Sequence, residues 1–263
     1  MNTTAPADAP SMPATPHPAH LGSAWVTYLI FGLLAAALGY KTYDYMARNH
    51  VLDLTQDAEY QREAVNYNNP PPIVGIKKNQ ALLEQLRNPT FGLAALLGVA
   101  FGLAEGIRQG SVGRAIVGAV VGLLAGVGLV YASGFFLPTY WRYLREAAGD
   151  PVTISLLLHG TLLLIVGLAA GLAIAAASGN GAGIGNGLAA GLIGGALGTV
   201  VYVLIGQLYF QDVNLEQAPA PESGPRLLYC IAPAIAIALI YSIFHGRTRA
   251  RAQSSAPAQT PAA

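Results

Sequence analysis

Long apolar runs separated by short polar breaks make up most of the chain. They are Ser23 to Tyr40, Pro89 to Ile107, Val112 to Leu137, Pro151 to Ala177, Ile184 to Phe210 and Pro225 to Phe244. At about 1.5 Å rise per residue, each can cross a hydrocarbon core of about 30 Å. The pattern predicts an all-α polytopic membrane bundle of six transmembrane helices. Asn88-Pro89 and Asp150-Pro151 each place a capping side chain before a proline, so a helix is expected to start at each. Pro233 predicts a local kink in the last helix.

The polar stretches set the boundaries. Residues 1–22 are rich in Pro, Ala and Thr and lack Lys and Arg, the composition of a disordered tail. No positive n-region precedes the first run, so residues 23–46 read as a retained transmembrane helix. Residues 47–88 form an extramembrane segment. Its first part, up to Tyr67, reads as helix, and NYNNPPP (Asn66 to Pro72) breaks it. KKNQALLEQLRN (Lys77 to Asn88) reads as a short amphipathic helix, lying on the membrane surface or packed on the bundle. Residues 89–210 hold two glycine-rich hairpins, 89–137 and 151–210. The last span is 225–245, and 246–263 reads as a second disordered tail. Trp25 and Tyr28 at one end of the first run, and Tyr40, Tyr43 and Tyr45 at the other, read as interfacial aromatics.

Glycine recurs at every fourth position within the apolar runs. The stripes are Gly98, Gly102 and Gly106; Gly118, Gly122 and Gly126; Gly167 and Gly171; and Gly187, Gly191 and Gly195. Such stripes let helix backbones approach closely, a main source of association energy in lipid. They are the expected helix-packing residues, a glycine zipper. One of them overlaps G-x-G-x-x-A (Gly185, Gly187, Ala190), the spacing of a dinucleotide-binding turn. That motif needs a preceding strand and an acid about 20 residues on. Here a long apolar run precedes it and the next acid is Asp212. GAGIGNGLAAG (Gly181 to Gly191) resembles the glycine-rich helix of rotary ATPase proteolipid subunits. The resemblance implies a ring protein with a proton-binding carboxylate in the paired helix, but the run Pro225 to Phe244 contains no acid. It covers eleven residues and marks shared packing chemistry.

A shift of 69 residues carries Gly98, Gly102, Gly110, Gly118, Gly122 and Gly126 onto Gly167, Gly171, Gly179, Gly187, Gly191 and Gly195 without a gap. Either the hairpins are a tandem duplication in parallel orientation, or two stripes of period four have matched by chance.

Composition narrows the function. The chain is 53% hydrophobic and 10% charged, against about 25% charged in soluble domains. A net charge of +1 gives no case for nucleic acid. The single cysteine, Cys230, rules out an internal disulfide framework. Glu105 is the acid that stands well inside an apolar run, and His159 stands inside another. An intramembrane ionisable group is a functional candidate by default. Arg108 lies at i+3 from Glu105, so an ion pair near the surface is the preferred reading there. Gln207 is an expected neighbour of His159. No metal-ligand spacing, nucleophile motif or cofactor motif occurs, so the expectation is neither an enzyme nor a cofactor protein. The expected partners are the lipid bilayer and further membrane subunits, either copies of this chain or others. A structural or assembly role is the first expectation, and a small-solute transporter or channel the second.

Six spans put both tails and the turns near 108–114 and 178–183 on one side, A. The segment 47–88 and the loops near 138–150 and 211–224 lie on side B. Side B carries more Lys and Arg near helix ends, which places it in the cytoplasm of a cell (inner) membrane. Arg247, Arg249 and Arg251 on side A oppose that assignment.

Overall fold

The computed structural model describes residues 21–49, 72–147, 150–210 and 222–254. Six α-helices fill them: α1 (Leu21–Asn49), α2 (Pro72–Arg108), α3 (Val112–Ala147), α4 (Pro151–Ser178), α5 (Gly181–Tyr209) and α6 (Ser223–Ser254). No strand occurs among the described residues. Each helix contains a stretch long and apolar enough to cross a membrane.

Local chemistry sets the hairpin turns. Asp150 caps α4 by accepting the Thr153 N–H at 2.8 Å, with Pro151 at the first helical position. Gly179 ends α4 in the left-handed region at φ 64°. Asn180 then caps α5, accepting the Gly183 N–H at 2.7 Å. The α2–α3 turn closes in the same way. Gly110 has φ 66°, Ser111 N–H donates to the Gly106 carbonyl at 3.0 Å, and Gly110 N–H donates to Ile107 at 2.9 Å. These are the paired bonds of a Schellman motif.

Three expectations are corrected. Asn88-Pro89 does not start a helix, because α2 begins at Pro72 and continues through Pro89. Lys77 to Asn88 are therefore the first turns of a spanning helix. Proline removes one backbone bond, and the strong helix formers before it outweigh that single loss. By the same logic α3 runs past Leu137 and through Pro138 to Ala147. Residues 246–254, expected in a tail, continue α6. The helix expected before Tyr67 lies largely outside the described residues, as do most of both tails and the 211–221 loop.

The helices touch in chain order, α1 to α2 through to α6, and α6 closes back onto α1; α2 also meets α4 directly. The core between them holds Tyr28, Leu97, Phe101, Leu163, Ile174, Tyr202, Tyr229, Ile237 and Tyr241. Large apolar side chains also point outward, including Leu34, Leu124, Phe135 and Leu204. A surface of this kind is matched by lipid rather than water. The chain is a multi-pass integral membrane protein.

Candidate functional site

The glycines form two seams. In the first hairpin Gly98 lies against Gly122, Gly102 against Gly118, Gly106 against Ala115, and Gly126 against Ala94. In the second, Gly167 lies against Gly191, Gly171 against Gly187, and Gly195 against Leu163. A Cβ on any of these positions would run into the facing backbone or Cβ. The 69-residue shift carries contact onto contact: Gly98 with Gly122 becomes Gly167 with Gly191, and Gly102 with Gly118 becomes Gly171 with Gly187. It also carries Gly110 onto Gly179, the two positive-φ glycines among the described residues. A third seam, also with a spacing of four, lies outside the stripes named from the sequence. Gly194 and Gly198, on a second face of α5, receive Ile237 and Pro233 of α6.

Glu105 sits in the last turns of α2 with no exposed surface. Its Oε1 accepts Arg108 Nη2 at 2.6 Å and Gln109 Nε2 at 2.5 Å. Its Oε2 accepts Arg108 Nε at 2.9 Å and the Tyr28 hydroxyl of α1. Four donors fill the carboxylate's four lone-pair sites. Spacings of i+3 and i+4 bring Arg108 and Gln109 onto the Glu105 face of the helix. The network then spreads. Arg108 Nη1 donates to His245 Nε2 of α6 at 3.0 Å. An arginine cannot accept, so His245 Nε2 is the acceptor in this contact. Gln109 donates to the Ser178 carbonyl of α4 at 3.1 Å, and Arg114 of α3 donates to the same carbonyl at 3.3 Å and to Gln109 Oε1. Tyr241 of α6 meets the Tyr28 ring edge-on, with centroids 4.9 Å apart. Five helices meet in this side-A cap.

His159 occupies a second cluster at the side-B end of the core. Its ring meets Tyr202 of α5 at 5.0 Å and Tyr229 of α6 at 5.6 Å, both edge-on. Tyr202 and Tyr229 meet at 5.3 Å, and Tyr43 of α1 lies 5.8 Å from Tyr229. Thr90 of α2 is within 3.4 Å of the Tyr229 hydroxyl. Farther out, Arg226 of α6 donates to Asp44 of α1 at 2.8 Å. The expected neighbour Gln207 is exposed instead, because its position on α5 faces away from α4. His159 and His245 stand in different clusters at opposite ends of the bundle.

Tyr28 and Tyr43 read in the sequence as interfacial aromatics, yet both are core residues, as is Tyr229. A tyrosine in an apolar run signals equally a membrane boundary or a buried hydroxyl with a polar partner. For Tyr28 that partner, Glu105, lies at matching depth on the neighbouring helix. Among the described residues no group of three His, Cys, Asp or Glu stands where it could hold a metal ion. The arrangement supplies helix-to-helix ties at both ends of the core. No family model, curated protein or solved structure matches this chain.

Proposed function

We propose that the protein is a structural or assembly component of its membrane, a rigid six-helix body that holds other membrane subunits. The observation that carries this reading is the saturation of Glu105. A carboxylate with all four acceptor sites filled from its own chain fixes helices; it has no site left for a passing ion or proton. The glycine seams support the same reading, because close backbone contacts favour one fixed arrangement. Partners would meet the outward faces of α1 and α3, where Leu34, Leu38, Val120 and Leu124 are exposed. Purification from native membranes in mild detergent tests the proposal. A stoichiometric partner subunit, or a defined homo-oligomer, is expected. A lone monomer that conducts solute would defeat it.

The alternative is a small-solute transporter or channel. It is favoured by the two hairpins related by 69 residues and by polar clusters at both ends of one core. Flux through proteoliposomes, assayed with several ions and small solutes, separates the two readings.

A further inference from the structure

We propose that Arg87, seated against Gly134, is a phosphate-binding site at the side-B boundary of the membrane. The phosphodiester of a lipid headgroup and free phosphate share this chemistry, and the test below separates them. The inference does not depend on the assembly reading.

Arg87 is the first residue of the stretch of α2 that is long and apolar enough to cross a membrane. It lies about two turns beyond the first seam along the same pair of helices: Gly98 faces Gly122, Ala94 faces Gly126, and Arg87 faces Gly134. Its Nη1 occupies the space a Cβ on Gly134 would take, so the glycine opens a notch for the guanidinium. The half-buried side chain has a different status from its counterparts. Arg108 is paired with Glu105, and Arg226 with Asp44. Among the described residues Arg87 has no such carboxylate, and its Nε is buried without a hydrogen-bond partner.

Removing an arginine nitrogen from water without a partner is unfavourable. A fold that needed only helix packing would avoid it, and the second hairpin does. The 69-residue shift carries Arg87 onto Leu156 and Gly134 onto Val203, both apolar residues. The charge and the notch are therefore additions that hairpin geometry does not require. A guanidinium presents a planar fork matched to phosphate oxygens. Basic positions between transmembrane helices near one face are suited to anionic headgroups. Just below the notch, Tyr131 and Phe135 of α3 form an exposed edge-on pair with centroids 5.7 Å apart, an apolar surface for an acyl chain.

The test is native mass spectrometry of the full chain in detergent, titrated with phosphatidylglycerol or phosphatidylcholine. The wild type should retain phosphatidylglycerol in preference. Arg87→Gln should weaken that retention about tenfold, the loss of one charge-assisted contact. Arg142→Gln, an exposed arginine near the same face, should leave it unchanged. Adding inorganic phosphate sorts the sources. Retention that survives it assigns the site to lipid, and displacement assigns it to the free anion. Equal retention by wild type and Arg87→Gln, or equal loss in Arg142→Gln, would overturn the proposal. If Arg87→Gln does not fold, Arg87→Lys keeps the charge and removes the fork. Its retention should drop severalfold, and an unchanged value would also overturn the proposal.

Discussion

At the residue scale, Glu105 and its donors are the most exacting feature of the protein. A buried ion pair contributes little relative to an apolar replacement, but breaking one side leaves a stranded charge. Glu105→Ala strands Arg108 and should cost about 3–5 kcal/mol in thermal unfolding followed in detergent. Glu105→Leu combined with Arg108→Leu should recover most of that loss, because both charges leave together. If the double variant is as unstable as Glu105→Ala, the pair is not the source of the effect. Tyr28→Phe removes one donor to the carboxylate and should cost about 1.5–3 kcal/mol by the same assay. The sequence made part of this legible. The i+3 spacing was enough to pair Glu105 with Arg108. Tyr28 and His245 were not legible as partners, since 77 residues separate Tyr28 from Glu105 and 137 separate His245 from Arg108. Only the packing of α1 on α2 and of α6 on α1 brings them together.

At the scale of elements, two kinds of glycine separate. Those in the seams are needed for space. A leucine at Gly122 or Gly191 would drive a side chain into the facing helix backbone, so each variant should give a sharply lower yield of folded protein on size exclusion. Wild-type behaviour of both would remove the seams from any account of stability. Those in the turns are needed for conformation. Gly110→Ala and Gly179→Ala force a Cβ into left-handed backbone and should each cost about 1–2 kcal/mol. A Cβ at Gly110 meets open space, so its effect isolates the backbone term, whereas at Gly179 it also meets the Arg114 guanidinium.

The cap of α4 adds a pH signature. The Asp150 carboxylate accepts hydrogen bonds from Thr153, which hold its pKa below the ordinary aspartate value. A depressed folded-state pKa means the cap stabilises fully above the unfolded pKa of about 3.9. That contribution is lost as pH falls through the lower folded value. Asp150→Ala should therefore lower the unfolding temperature at pH 7 and make no difference at a pH below both values. Asp150-Pro151 was readable because capping is local chemistry. Asn88-Pro89 looks the same in sequence and caps nothing, because the residues before it were already helical. A proline reports only its own missing N–H, and the chain on either side decides whether the helix stops.

At the scale of the whole molecule, the relation between the hairpins and the number of crossings belong to one argument. An even number of spans in each repeat unit preserves orientation, so Gly110 and Gly179 must turn on the same side. The Gln109 amide does reach the Ser178 carbonyl, joining the two turns directly. The side-A cap adds a second constraint. Tyr28 near the start of α1 and His245 near the end of α6 reach the same Glu105–Arg108 pair, so the N-terminal end of α1 and the C-terminal end of α6 share a side. Five crossings would separate them. Single cysteines in a Cys230→Ala background test this, and Cys230 is buried, so its replacement leaves the surface unchanged. Ala7→Cys and Ala256→Cys should give the same result with an impermeant maleimide on intact cells, and Asn68→Cys the opposite one. The bias of Lys and Arg toward side B places Asn68 in the cytoplasm, which makes Ala7→Cys and Ala256→Cys the labelled pair. Labelling of Asn68→Cys alone would reverse the orientation and keep six spans. Different results at Ala7→Cys and Ala256→Cys would rule out an even number of crossings, and with it the cap that draws both ends of the chain to Glu105.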